Sequence, residues 1–371
     1  MEEEKLEEEV NLDYVIHNVH CHVFNIDFLP ERFIGWYLPT TLIKRKKVAN
    51  FLFKLTRWLG FRLSSFIYSA TKESQIDIFK ELRGYYPKTA KFCPLTIDFD
   101  FMGAGKANKN YLAQLEDMRS ILNDSKVGGS VLPFFCVDPR RDKVFDLMKS
   151  YIEDHGFKGI KLYPALGFFP DDPRLDEVYK YAEEHEIPIT THCIPTNKNH
   201  FRYKPSAEMI AKAKERFKFY EEKASSKPYR FAEYLNHPDN YTYVLEKYPK
   251  LKLNLAHFGG NDQWNKYLDV SDENHLINRN WYSIIRKMLM KYENVYSDIS
   301  FTVHDDKLYP VLSNLLKSPT IQNKILFGSD FFMLQKDYGE RRFGMDVRGY
   351  ISDDEYWLIA ESNPKRFLGL T

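Results

Sequence analysis

Eight short apolar runs, each closed by polar residues, Gly or Pro, punctuate this chain at 14–24, 90–97, 129–138, 157–163, 187–193, 251–258, 294–301 and 325–332. Runs of this length that are rich in β-branched and aromatic residues read as buried strands. Between most of them the pattern turns helical, as from Lys143 to Asp154, from Leu175 to His185 and from Tyr241 to Lys247. Strands that alternate with helices predict an α/β protein with a parallel sheet, and eight repeats predict a closed (β/α)8 TIM barrel in preference to an open doubly wound sheet. A barrel needs about 250 residues, so part of a 371-residue chain must reside in insertions. The long intervals 25–89, a helical insertion after strand one, and 194–250, a second insertion after strand five, supply them. Both leave from strand ends on the face where a barrel builds its active site. They are candidate lids on a single barrel domain spanning 1–371.

Composition narrows the class of ligand. With 28 Phe, 25 Tyr and 5 Trp and a formal net charge of +1, the chain has neither the signature of disorder nor the charge excess of a nucleic-acid binder. A small molecule is the expected partner. The start, Met1-Glu2-Glu3-Glu4-Lys5, lacks the layout of a signal peptide, and no apolar run is long enough to span a bilayer, which predicts a soluble, cytoplasmic protein without an integral membrane segment. Cys21, Cys93, Cys136 and Cys193 lie far apart in or beside strand-like segments, a spacing that fits reduced thiols. From Arg32 to Lys72 there is no acidic residue, while Val48, Phe51, Leu52, Leu55, Trp58 and Leu59 recur at helical spacing. Three readings of this basic amphipathic segment compete: a lid with Phe51, Leu55 and Trp58 facing protein and Lys44 to Lys47 facing solvent or an anionic group, a membrane-surface helix, or a homo-oligomer contact.

Chemistry concentrates at the ends of the strand-like runs. The first carries His20-Cys21-His22, and because side chains alternate along a strand, residues two apart share a face. The fourth carries Lys161 and is followed by Tyr163, the fifth ends in His192, the sixth in His257 and the eighth in Asp330. Any one of these could be a hydrogen-bonded structural residue, and Asp330 could cap the next helix. Four histidines and a carboxylate at one level of a barrel form instead a pocket of N and O ligands suited to a divalent metal, zinc ahead of manganese or iron. Arg140, Arg141, Lys161 and Arg174 follow strand ends or the loop after strand four and could bind a substrate carboxylate, although for each alone a solvated or structural ion-pair role is the default. Tyr163, Phe168 and Phe169 could form an apolar wall.

With these residues in order, the sequence resembles the amidohydrolase superfamily of metal-dependent barrels, in particular the subgroup that includes aminocarboxymuconate-semialdehyde decarboxylase. The resemblance runs from His20-Cys21-His22-Val23-Phe24 through Gly159-Ile160-Lys161-Leu162-Tyr163-Pro164, Thr191-His192-Cys193, Ala256-His257-Phe258-Gly259-Gly260 and Leu326-Phe327-Gly328-Ser329-Asp330 to Asn363-Pro364-Lys365-Arg366-Phe367. It implies that His20, His22, His192 and Asp330 hold one metal, that Asp330 doubles as general base and that His257 stabilises the developing oxyanion or shuttles a proton. It also implies a binuclear alternative, with Lys161 carboxylated and His257 as a further ligand. Two departures stand out: Asn18 occupies a position that is often Asp, and the roles of His17 and His304 are unassigned. The activity implied is hydrolysis of an amide, ester or lactone of a small, carboxylated substrate, with Lys161, Tyr163 and Arg140 as substrate contacts. Decarboxylation of an aromatic or unsaturated acid is the alternative within the superfamily. A non-catalytic, metal-stabilised binding scaffold is the alternative outside it.

Overall fold

Each apolar run contributes one strand: β1 His17–Cys21, β2 Lys91–Pro94, β3 Phe134–Val137, β4 Gly159–Leu162, β5 Ile189–Thr191, β6 Leu253–Leu255, β7 Val295–Asp298 and β8 Ile325–Leu326. The structure is a computed structural model that describes residues 14–33, 69, 71–195, 202–219, 221, 227–269, 279–333 and 339–370. Helices alternate with the strands: α1 Gln75–Arg83, α2 Tyr111–Leu122, α3 Val144–Asp154, α4 Asp176–Glu184, α5 Ala207–Arg216, α6 Pro228–Asn236, α7 Asn240–Lys247, α8 Asn261–Leu268, α9 Trp281–Lys291 and α10 Tyr309–Leu316. Capping residues mark several of the starts. Asn110, Ser206 and Asn280 accept from the backbone N–H three residues on, satisfying a donor that the first turn leaves open.

All strand pairs are parallel, in the order β1-β2 and β3-β4-β5-β6-β7-β8. This is the order of a (β/α)8 TIM barrel, but the strands do not form one closed ladder. Two seams are crossed only by isolated bridges and single hydrogen bonds. Between β2 and β3 the bridges are Phe92 with Val131 and Leu95 with Phe134. Between β8 and β1, Cys21 bridges to Phe331 and Val19 N–H donates to Phe327 O at 3.0 Å.

Burial explains the strand sequences. Phe134, Phe135, Ile160, Leu162, Ile189, Leu253 and Leu255 are fully buried, each worth roughly 1.5–3 kcal/mol. Cys136, Lys161, Thr190 and Asn254 are register partners across β3 to β6, so a polar layer crosses an otherwise apolar interior. That layer leads to the site. A second apolar cluster joins Phe217 beside α5 and Phe231 and Leu235 of α6 to Ala165 and Phe169 in the loop after β4, placing the helices that follow β5 against that loop. Residues 34–68, with Phe51, Leu55, Trp58 and the Lys44 to Lys47 cluster, lie outside the described residues. All four cysteines are free and buried. No helix among the described residues is long and apolar enough to cross a membrane.

Candidate metal centre

The first and last strands meet at the site. Asn18 ties them together: its Nδ2 donates to Ser329 Oγ at 2.8 Å and its Oδ1 accepts from the Ser329 N–H at 3.2 Å. Gly328 allows the approach, because a Cβ there would lie 2.8 Å from the Cβ of His20. Asp330 follows with φ +61°, a left-handed conformation uncommon outside glycine, and its N–H donates to His20 O at 2.8 Å. Its carboxylate is thereby brought under both histidines, 3.3 Å from His22 Nε2 and 3.7 Å from His20 Nε2. One donor atom from each of His20, His22 and Asp330 falls within 4.8 Å of the others, and all three residues are buried.

The outer partners of the two imidazoles decide what they can do. His22 Nδ1 lies 2.9 Å from Leu95 O and His20 Nδ1 3.1 Å from Asp298 Oδ2. A carbonyl and a carboxylate only accept, so each Nδ1 carries the proton and each neutral ring keeps its lone pair on Nε2. Two lone pairs and a carboxylate then face one another in a buried cluster, an arrangement that a cation between them stabilises. Protonation is a poor substitute at His20, whose pKa burial pushes down to about 3, and its Nε2 has no hydrogen-bond partner. Burial by itself would raise the Asp330 carboxyl, but the adjoining imidazoles of His22, His20 and His257 hold it below the usual carboxylate range. The donor set fits a borderline divalent ion.

A second group, His20, His257 and Asp298, is equally compact. Here the carboxylate is already occupied. Asp298 accepts from His20 Nδ1, from Asn254 Nδ2 at 2.7 Å, from the N–H groups of His257 and Ser300 at 3.1 Å each, and from Ser300 Oγ. Burial raises its carboxyl, yet His20 and these donors outweigh burial and keep it ionised. Asp298 is thus the residue that orients His20, the role outer carboxylates play for metal-binding histidines. Sequence reading passed over it, although an aspartate inside the apolar run 294–301 was the available signal.

The remaining histidines form a chain. His257, Phe258, Gly259 and Gly260 all have positive φ, a strained turn at the end of β6 that aims His257 inward. His257 Nδ1 donates to Ser300 O, and its Nε2 lies 3.1 Å from His192 Nδ1, which leaves the His192 lone pair on Nε2. His192 belongs to neither compact group and reaches the cluster through His257. The half-buried Tyr163 packs its ring 4.2 Å from that of His192. Lys161 is fully buried without a hydrogen-bond partner for Nζ, and burial lowers its pKa to about 8 against the upward pull of Asp298 and Asp330. His17 only anchors its own strand, through Val15 O at 2.8 Å.

The arginines are engaged elsewhere. Arg140 grips Asp138 through Nε and Nη2 at 2.8 and 2.6 Å and donates to Phe101 O and Leu166 O. Arg141 binds Asp98 and Asp100, and Arg174 binds Asp172. Phe168 is buried in the main core and Phe169 in the second cluster.

The sequence profile of the family described as Amidohydrolase matches residues 99–370, well over half of the chain. The chain belongs to the amidohydrolase family. It is therefore an enzyme of a superfamily whose members depend on metal. No curated protein matches the sequence. Among solved structures, an amidohydrolase from Burkholderia multivorans, crystallised once with bound HEPES and once with bound zinc, matches at 9% identity with TM-score 0.55, over 96% of this chain and 100% of that one. The 5-carboxyvanillate decarboxylase of Sphingomonas paucimobilis matches at 11% identity with TM-score 0.51 over the same shares. At these identities the likeness is one of fold.

Proposed function

We propose that this amidohydrolase holds one divalent metal through His20, His22, His192 and Asp330 and hydrolyses an amide, ester or lactone of a small carboxylated substrate. The observation that carries the reading is the convergence of His20 Nε2 and His22 Nε2 on Asp330, with both Nδ1 atoms locked by acceptors. Zinc suits the mixed N/O donors and is the ion bound in the Burkholderia relative. Such an ion, when bound, supplies Lewis acidity that makes water a competent nucleophile near neutral pH. Asp330, kept ionised by its histidines, accepts the proton of the attacking water and delivers it to the leaving group. His257, hydrogen-bonded to His192 and with its ring 4.6 Å from that of His20, is the neighbour that stabilises the developing oxyanion or shuttles a proton. Lys161, a buried amine without a hydrogen-bond partner, receives the substrate carboxylate, with Tyr163 beside it as a wall and Arg140 shaping the loop behind.

Elemental analysis of the purified chain tests the centre. Near one metal per chain is expected, near two supports a carboxylated Lys161 with His257 as ligand, and a chain that neither retains nor rebinds zinc, manganese or iron refutes the reading. Asp330→Asn, screened on small amides and lactones, is expected to lower turnover by about 100- to 10,000-fold with the fold intact. A decarboxylase reading, in the manner of the aminocarboxymuconate-semialdehyde subgroup, draws on the same Lys161 and on the full-length fold match to a decarboxylase. Carbon dioxide release from aromatic carboxylates, with no hydrolysis of the amide panel, decides for it.

A further inference from the structure

Outside the imidazole cluster, the loops that follow β1, β2 and β5 and the start of α6 line an open cavity of about 440 Å³, whose lining includes Arg32, Gly103, Arg202, Tyr203 and Tyr229. Its two arginines are brought together by the backbone. Arg32 N–H donates to Ala104 O at 2.9 Å and Arg202 N–H to Met102 O at 3.0 Å, so residues far apart in sequence are pinned to one short segment. Gly103 sits between them at φ +80°, where a Cβ would lie 2.8 Å from the Tyr203 ring. The packing of that ring therefore depends on glycine.

Neither arginine has an ion-pair partner among the described residues. Arg202 Nε and Nη2 are buried without a hydrogen-bond partner, and Arg32 has only a long bond from Nη2 to Gly103 O at 3.4 Å. No acidic residue lines the cavity among the described residues, and the sequence from Arg32 to Lys72 contains none. The adjacent carboxylate of Glu31 lies instead over Gly105, whose Cβ would be 3.0 Å from Glu31 Oε2. Burial, and then the neighbouring Arg32 cation, lower the pKa of Arg202. Arg202 is partly buried and Arg32 is exposed on the same cavity wall, and two like-charged guanidinium groups that share a wall favour an anion, whose oxygens their planar forks match. The volume suits a small molecule, and Tyr203 and Tyr229 offer aromatic walls for its apolar part.

We propose that Arg32 and Arg202 form an oxyanion-binding subsite at the barrel mouth that takes the carboxylate or phosphate group of a small molecule. None of its residues belongs to the candidate metal centre, so the two readings can fail separately. The test is calorimetric titration of the full chain, as purified and again after chelation, with inorganic phosphate and with benzoate, on wild type, Arg32→Gln and Arg202→Gln. Wild type is expected to bind at least one of the two after chelation, with each variant weaker by about tenfold or more. Tighter phosphate binding identifies a phosphorylated ligand, and tighter benzoate binding a carboxylate. Melting curves separate binding from structure. Because neither substitution breaks an ion pair, the anion-free variants are expected to melt close to or above wild type and to lose the anion-induced rise. Undiminished anion binding in both variants, no binding by wild type at millimolar anion, or a variant that melts well below wild type without anion would each overturn the proposal.

Discussion

Two corners of the barrel mouth treat their charges in opposite ways. Where β1 meets β8, each imidazole has its outer nitrogen fixed by an acceptor and its inner nitrogen aimed at Asp330, so the unsatisfied atoms converge on one point. In the loops after β3 and β4, Arg140 has both edges of its fork occupied by Asp138 and carbonyls, leaving little to offer a ligand. Lys161, one strand away, has no such web. A positive residue at a strand end is thus informative only once its partners are known. What marks the binding corner is not charge but the deliberate lack of a last partner.

The largest test of this contrast is His20→Ala. It removes an inner donor and leaves Asp298 without its ring, and metal content measured by emission spectroscopy is expected to fall from near one per chain to near zero. Retention of full occupancy would mean that the converging atoms are not a metal centre. Next in size, Arg140→Gln leaves the Asp138 carboxylate buried and unpaired, and urea unfolding is expected to show a loss of about 3 kcal/mol with metal content unchanged. Unaltered stability together with a raised KM would reassign Arg140 to substrate binding. The smallest effect is expected at Lys161. Its folded pKa, about 8, lies below its ordinary 10.5, so the charged amine penalises the fold fully below about pH 8 and less as pH rises toward 10.5. Lys161→Met is therefore expected to be more stable than wild type at pH 7 by about 1–3 kcal/mol, an advantage that shrinks above pH 8. An absent advantage would show that the amine is already compensated, as carboxylation would make it.

The strands were legible because buried parallel strands are short apolar runs, and each of the eight runs contains one. Their ends were not. The run 325–332 yields only Ile325–Leu326 as ladder, because the backbone from Phe327 onward bonds to β1 instead of β7. The same competition produces the seam that an expected closed ladder does not anticipate. The convergence of His20, His22 and Asp330 was legible from spacing and strand position, whereas the hydrogen bond that links His192 to them through His257 depends on a strained turn that periodicity does not encode. Asp298 reads in sequence as an interruption of an apolar run, and only the donors around it reveal a structural anchor. Arg32 and Arg202 are joined through backbone bonds to a segment that neither adjoins in sequence, which local reading cannot detect.

The tie between Asn18 and Ser329 spans 311 positions. During synthesis, then, His20 and His22 leave the ribosome long before the carboxylate that completes their set. Until then the chain holds only the imidazoles of the proposed set, without the carboxylate that lies beneath two of them. In the proposed centre, the full ligand set assembles only when β8 docks beside β1. On the proposed reading, occupancy by metal would report that translation has run past Asp330 and that the first and last strands have found each other. A truncated or misfolded copy would remain empty, and so chemically inert, for want of its final ligand.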